Sequence, residues 1–142
     1  MATLSADSPR VFETGHDDGI NEIPMIATDI IYDGAAVGDN ASGLARPLVA
    51  ADPFLGFATE KADNSAGSAS DIKVKIKSKG VAKLTVTGVS STADVGEKVY
   101  ATDDDTFTLT ASGASAIGRV LRWITSTTCL VSFQGSTEID HT

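Results

Sequence analysis

The stretch Asp71-Ile72-Lys73-Val74-Lys75-Ile76-Lys77 alternates aliphatic with charged residues over seven positions. Successive side chains of a β-strand point to opposite faces, so this period of two predicts a strand with a buried aliphatic face and a solvated lysine face. After Gly80 the alternation resumes over residues 81–87, Val-Ala-Lys-Leu-Thr-Val-Thr. Two such strands in succession set the expectation of a β-rich fold.

Short apolar stretches bounded by turn residues lie on both sides of this pair. The further predicted strands are residues 25–32, 44–49, 53–58, 98–101, 106–110, 117–124 and 129–133. Gly, Asp and Asn recur between them, and the polar residues 60–70 are expected to form a flexible loop. No segment predicts a long helix. The spacing therefore predicts an all-β fold, a small barrel or sandwich of about eight or nine short strands.

The first 22 residues show no strand or helix periodicity and hold only isolated apolar side chains. These are Leu4, Val11, Phe12 and Ile20. So little apolar surface cannot offset the entropy of ordering the segment by itself. We therefore expect an extended N-terminal arm over residues 1–22, followed by a single β domain over residues 23–142. The four apolar residues are candidate anchors, since an extended segment can add to the sheet edge of a capsid or sister subunit.

Composition and charge narrow the class of protein. Ala, Gly, Ser and Thr make up 62 of the 142 residues, which predicts a thin core that contacts between subunits would supplement. The net charge of −8 argues against nucleic acid or an anionic membrane as partner. Residues 1–69 carry all of this excess, because residues 70–142 hold eight acidic and eight basic residues.

The sequence offers little for catalysis, for a cofactor or for a metal. His16 and His141 lie near the two ends of the chain, where a rigid acid–base role is unexpected. Cys129 stands within an apolar strand and is expected to be a buried structural thiol. Asp103-Asp104-Asp105 lacks the ligand spacing of a calcium loop and is predicted to be a hairpin turn. We therefore expect no enzyme activity, no cofactor and no metal.

The row Lys73, Lys75 and Lys77 has two interpretations. Lysines on a solvated or edge strand prevent aggregation through that edge. Alternatively, the row is a docking stripe for an acidic protein surface, such as the acidic first half of a neighbouring copy. Both interpretations stay open on the sequence alone.

Several motifs, taken in order, resemble one known family. They are Asp52-Pro53-Phe54-Leu55-Gly56-Phe57-Ala58, Lys79-Gly80-Val81-Ala82-Lys83-Leu84, Val95-Gly96-Glu97-Lys98-Val99-Tyr100-Ala101, Phe107-Thr108-Leu109-Thr110, Ala116-Ile117-Gly118-Arg119-Val120 and Val131-Ser132-Phe133. Their order and spacing over residues 25–134 are similar to those of the capsid cement, or head decoration, proteins of tailed bacteriophages. The arm lies outside the resemblance.

The resemblance implies a small β-barrel protein on the outside of the phage head. It implies a homo-oligomer, commonly a trimer, that clamps adjacent subunits of the major capsid protein without cofactor or active site. Such a protein is made in the cytoplasm of the host bacterium, and the start Met1-Ala2-Thr3-Leu4 has no signal-peptide pattern. The alternatives are a head-fibre or adhesin-like module that binds a host-surface glycan and, third, a small hydrolase. Few aromatic residues are available for glycan binding.

Overall fold

A computed structural model describes residue 6 and residues 19–138, and this part of the chain is all-β. Its strands are β1 (Ile20–Pro24), β2 (Ile30–Ile31), β3 (Ala36–Asp39), β4 (Ala45–Pro47), β5 (Phe54–Ala58), β6 (Ala62–Asp63), β7 (Lys73–Lys77), β8 (Lys79–Thr87), β9 (Lys98–Ala101), β10 (Phe107–Thr108), β11 (Ser115–Thr125) and β12 (Thr128–Gln134). One 3₁₀ turn, Thr92–Asp94, precedes β9. The predicted fold class is confirmed. The strands outnumber the expected eight or nine because three of them have only two residues.

The first half of the chain builds a five-stranded antiparallel sheet in the order β1-β7-β5-β3-β4. The alternating strand predicted over residues 71–77 is β7. Val74 and Ile76 are fully buried, whereas Lys73 is exposed and Lys75 and Lys77 are half-buried. The two faces of this strand are therefore as the period of two predicted. A separate antiparallel pair joins β2 to β6.

The second half closes a five-stranded barrel in the order β10-β8-β12-β11-β9, with β9 pairing back to β10. All of its pairings are antiparallel except the two-residue contact between β10 and β8. The hairpin predicted around residues 102–105 joins β9 to β10. A tight connection joins β11 to β12, with Ser126 at a φ of 51°.

Two apolar cores meet at β5, whose five residues are all buried. Phe54 and Phe57 pack with the barrel residues Phe107 and Phe133. Leu55 and Ala58 pack on the other side, in the core that β7 also covers. The register of β5 against β3 shifts between Val37 and Gly38, and this irregularity interrupts the alternation, so that Phe54 and Phe57, three residues apart, face the same core. Sheet and barrel therefore share apolar side chains.

The single strand predicted over residues 25–32 is wrong. The chain leaves β1 at Pro24, turns through Thr28 with a φ of 53° and resumes as β2. Before the turn, the Met25 amide donates to the Ile72 carbonyl and the Ile26 amide to the Ala45 carbonyl. The positive φ of Thr28 lies outside the extended region, so a strand cannot continue through it.

The polar segment 60–70 is a loop as predicted, but it contains β6 and a buried anchor. Asn64 is 2% exposed, and its side-chain amide donates to the carbonyls of Ile26 and Ser68, both at 2.9 Å. A buried amide side chain with both donors satisfied holds the loop against the sheet.

The boundary predicted between arm and domain differs from the structure. Residues 20–22 belong to β1, which pairs with β7 over its whole length. The chain upstream of Gly19, which includes Leu4, Val11 and Phe12, lies outside the described residues.

Candidate functional site

The lysine row lies on one face of a strand that is paired on both sides. Because β1 and β5 flank β7, the interpretation as an edge strand is wrong. What remains is a solvated or docking face, bordered by β1. Glu22 lies directly opposite Lys75, and Ile20 directly opposite Lys77.

Ile20 is thus a half-buried sheet residue next to the row, not a separate anchor along an extended arm. The structure places Ile20 beside Lys77, at the end of the row farthest from Lys73. The other predicted anchors lie outside the described residues.

The three lysines are not equivalent. A Cβ atom at Gly80 would lie 2.6 Å from Cε of Lys77, so the Lys77 stem packs closely over this glycine. Long lysine stems commonly cover apolar or backbone surface while the ammonium stays in water. Lys77 therefore has a packing role at the junction of sheet and barrel, whereas Lys73 is exposed.

A concave surface lies on the outer face of the barrel, across strands β9, β11, β12 and β8. It encloses about 1120 Å³ and extends to the connection before β9. Three exposed aliphatic side chains stand along it: Val81 is 51% exposed, Val95 51% and Leu121 46%. We call this surface the barrel groove.

The barrel groove is concave in part because several residues that line it have small side chains or none. These are Ala116, Gly118 and Ser132. A Cβ atom at Gly118 would lie 2.0 Å from the Ser132 carbonyl oxygen, so no side chain fits there. The pairing of β11 with β9 shifts register between Ala116 and Gly118, and such a bulge increases the local bend of a strand. The small residues and the bulge together make this outer face of the barrel concave.

The charge on the barrel groove is positive. Lys79, Lys98 and Arg119 line it, and among the described lining residues none is Asp or Glu. Arg119 is held in place because its Nη1 atom donates to the Gly96 carbonyl at 3.0 Å. The groove is thus a basic, partly apolar surface on a protein whose net charge is −8.

The barrel groove could not be predicted from the sequence because its residues come from four strands and one connection. One local signal was present. Val81 has the same strand parity as Lys83 and Thr85, so an aliphatic side chain stands on a solvent-facing row. Its partners Val95 and Leu121 are distant in sequence, and only strand pairing brings them near.

The aspartate run is a hairpin turn, as predicted. Oδ1 of Asp103 accepts from the Asp105 amide at 2.9 Å, and its Oδ2 accepts from the Thr106 hydroxyl at 3.0 Å. Partial burial, with repulsion from Asp103 and Asp105, raises the pKa of Asp104. Within residues 19–138, no group of three or more His, Cys, Asp or Glu side chains could hold a metal ion.

Cys129 is a buried structural thiol, as predicted. It is 0% exposed in the barrel core. Burial raises the pKa of this thiol, and the charge of Asp94 raises it further. A buried thiol with a raised pKa is a poor nucleophile at neutral pH. His16 and His141 lie outside the described residues.

The one ion pair within residues 19–138 joins Arg46 of β4 to Asp52. The Arg46 guanidinium donates through Nη2 at 2.7 Å and through Nε at 3.0 Å, and the Val49 amide donates to the same carboxylate at 3.0 Å. Asp52 is only 8% exposed. With its charge compensated by three donors, the pair closes the loop between β4 and β5 and serves structure rather than chemistry.

Comparisons with family models, with curated proteins and with solved structures returned no match. In the described part of the chain, no helix has the length and apolar character needed to cross a membrane.

Proposed function

We propose that this protein is a structural virion protein that binds the outside of a bacteriophage capsid. It stabilises the shell by clamping adjacent subunits of the major capsid protein, and it acts as a homo-oligomer, a trimer at or near three-fold positions. It needs no cofactor and carries out no reaction, and it binds neither nucleic acid nor membrane. It is made in the cytoplasm of the host bacterium.

The observation that carries the proposal is the combination of two basic surfaces on one small all-β protein, one on the barrel and one on the sheet. The barrel groove presents exposed aliphatic side chains beside cations, which is the composition of a protein-binding patch. The lysine row offers a second basic face on β7, at the junction with the barrel. A protein that holds two neighbours together requires at least two such faces.

The motif order over residues 25–134 supports the same proposal. The stretches that resemble the cement proteins coincide with β5, β8, β9, β10, β11 and β12. Contacts with the capsid protein are sought on the lysine row of β7, and contacts with a sister copy on the barrel groove.

Electron cryo-microscopy of purified particles, prepared with and without this protein, tests the proposal. We expect extra density on the outer surface at or near the three-fold positions, and greater loss of particles on heating when the protein is absent. Particles without bound protein, or isolated copies far from any symmetry axis, would contradict it.

One observation favours the second candidate, a head-fibre or adhesin-like module that binds a glycan. Tyr32 is 57% exposed, with the Lys61 ammonium nitrogen 5.4 Å from its ring centroid. Sugars commonly stack on exposed aromatic rings. A glycan array probed with the wild type and with Tyr32→Ala tests this candidate, and binding that the substitution abolishes would favour it over the capsid proposal.

A further inference from the structure

We propose that the barrel groove binds the N-terminal segment, residues 1–18, of a second copy of this chain. The inference rests on the homo-oligomer named in the proposed function and adds the surface that joins its subunits. Three observations carry it: the chemistry of the groove, the chemistry of the segment and the point at which the segment leaves the described structure.

The groove and the segment are complementary in charge. Lys79, Lys98 and Arg119 give the groove three positive charges, with no carboxylate among its described lining residues. Residues 1–18 contain four acidic residues, Asp7, Glu13, Asp17 and Asp18, against the single Arg10. Opposite potentials of this kind steer association and favour the correct partner.

The groove and the segment are also complementary in apolar surface. Val81, Val95 and Leu121 each expose about half of their area along the groove. The segment carries Leu4 and the pair Val11-Phe12, side chains that gain free energy when they leave water. Between these aliphatic side chains the groove is lined by the small residues Ala116, Gly118 and Ser132, so no large side chain of the barrel occupies this part.

The segment begins at the rim of the groove. The Gly19 carbonyl accepts from both the amide and the hydroxyl of Ser78 at 2.7 Å, and a Cβ atom at Gly19 would lie 2.8 Å from Cγ of Lys79. Lys79 lines the groove. Residue 18 therefore starts next to one end of it.

The length of the segment favours a second copy over the same chain. Neighbouring strands are about 4.8 Å apart, so the four strands of the groove span about 15 Å. An extended chain covers about 3.3 Å per residue, so Phe12 can lie up to about 23 Å from Gly19 and Leu4 up to about 50 Å. A segment rooted at the rim carries its apolar side chains past its own groove and into the reach of a neighbour's.

Such a contact joins two different surfaces, the arm of one copy and the groove of the next. Head-to-tail contacts of this type form closed rings when the rotation between copies allows it. A ring of three is the arrangement that the proposed function requires.

Disulfide trapping in the full chain tests the contact without any capsid. Phe12→Cys and Leu121→Cys are placed in separate full-length chains, which are mixed and mildly oxidised. We expect a disulfide between the two chains, identified by mass spectrometry. The native Cys129 does not compete, because it is 0% exposed. The matched control pairs Phe12→Cys with Val49→Cys, a residue that is 50% exposed and lies outside the groove.

The chain that carries both Phe12→Cys and Leu121→Cys distinguishes the possible arrangements. A covalently closed trimer on a non-reducing gel is the expected product. A monomer with an internal disulfide would show that the segment fills its own groove and would overturn the proposal. Absence of cross-linking, or cross-linking equal to that of the Val49→Cys control, would remove the groove as the binding site.

Charge reversal gives an independent readout. We expect Lys98→Glu to lower the association constant about tenfold in sedimentation experiments, since it replaces attraction to the acidic segment by repulsion. Lys83→Glu is the matched control, because Lys83 is exposed on β8 but does not line the groove. Equal losses in both variants would reflect net charge alone and would overturn the assignment. Failure here with normal capsid decoration would refute this contact and leave the proposed function standing.

Discussion

The ring of Phe57 lies edge-on to the ring of Phe133, with centroids 4.9 Å apart and planes at 84°. Phe57 belongs to β5 of the sheet and Phe133 to β12 of the barrel, so this contact fastens the first half of the chain to the second. Phe54 adds edge-on contacts to both rings, at 5.3 Å and 6.3 Å. A chain with so few aromatic residues places three of them at one junction, and we infer that sheet and barrel unfold together.

Shortening an aromatic side chain at this junction should destabilise the whole protein. We expect Phe57→Ala to lower the free energy of unfolding by about 3–5 kcal/mol, because it removes a buried ring and leaves a cavity. Thermal unfolding should remain a single transition in calorimetry. A double-mutant cycle with Phe57→Leu and Phe133→Leu should give a coupling energy of about 0.5–1.5 kcal/mol between the two rings. Two separate transitions in the wild type would contradict a shared core.

The pair of Asp52 and Arg46 should make stability depend on pH in acid. Burial by itself raises the pKa of Asp52, but hydrogen bonds from Arg46 and Val49, with the charge of Arg46, outweigh it and hold the pKa below its ordinary value. The stabilising contribution is therefore complete above the unfolded-state pKa and is lost as pH falls through the folded-state pKa.

Replacement of this carboxylate tests the pH dependence. At neutral pH we expect Asp52→Asn to lower the free energy of unfolding by about 1–3 kcal/mol, because it weakens three hydrogen bonds to a buried group. The difference from the wild type should shrink in strong acid, as measured by urea titrations at several pH values. The exposed Asp33→Asn is the control. A difference that does not change with pH would argue against the ion pair as its cause.

Gly118 should tolerate no side chain. A Cβ atom there would meet backbone, the Ser132 carbonyl oxygen at 2.0 Å, so β11 and β12 would have to separate. We expect Gly118→Ala to cost about 1–3 kcal/mol of stability. The exposed neighbour Ala116→Ser should change stability little. A fully stable Gly118→Ala variant would contradict the close approach of the two strands.

The lysine row should contribute to capsid binding in proportion to charge. Lys73 and Lys75 are replaced by Gln together, whereas Lys77 is kept because its stem packs over Gly80. Exposed ion pairs contribute about 0–1 kcal/mol each, so for two lysines we expect a reduction of up to about thirtyfold in affinity, not a complete loss. Wild-type binding should also weaken as salt is raised.

The readout for the lysine row is occupancy on purified particles at a limiting protein concentration. Lys83→Gln, exposed on β8, serves as the matched control. Unchanged occupancy of the double variant would show that Lys73 and Lys75 form a solvated face and do not bind the capsid.

Deletion of residues 2–18 should separate folding from assembly. The deletion stops before Gly19, because that residue binds Ser78 and the next one begins β1. We expect an unchanged circular dichroism spectrum, with lower particle occupancy and lower resistance of the particles to heat. Full decoration by the shortened chain would show that residues 1–18 are not an anchor.

The sequence alone determined the fold class and most strand positions. Alternation at residues 72–77 and 81–87 directly reports which side chains face the core, because side-chain direction in a strand depends only on residue parity. For the same reason, the two faces of β7 could be predicted correctly. Asp103 and Cys129 were also predictable, since a turn and a buried strand position are local properties.

The order of the strands and the pairing between them depend on the tertiary structure. An edge position was one interpretation of β7, but the strand is internal, because β1 arrives from a segment with no periodicity of its own. The continuous strand expected through Met25 is broken by the turn at Thr28, whose φ is positive. The barrel groove depends on Val81, Val95 and Leu121, which share no local pattern. Hydrogen-bond partners across a sheet depend on the whole folded chain. The periodicity and composition of a single strand therefore do not predict which strands lie beside it.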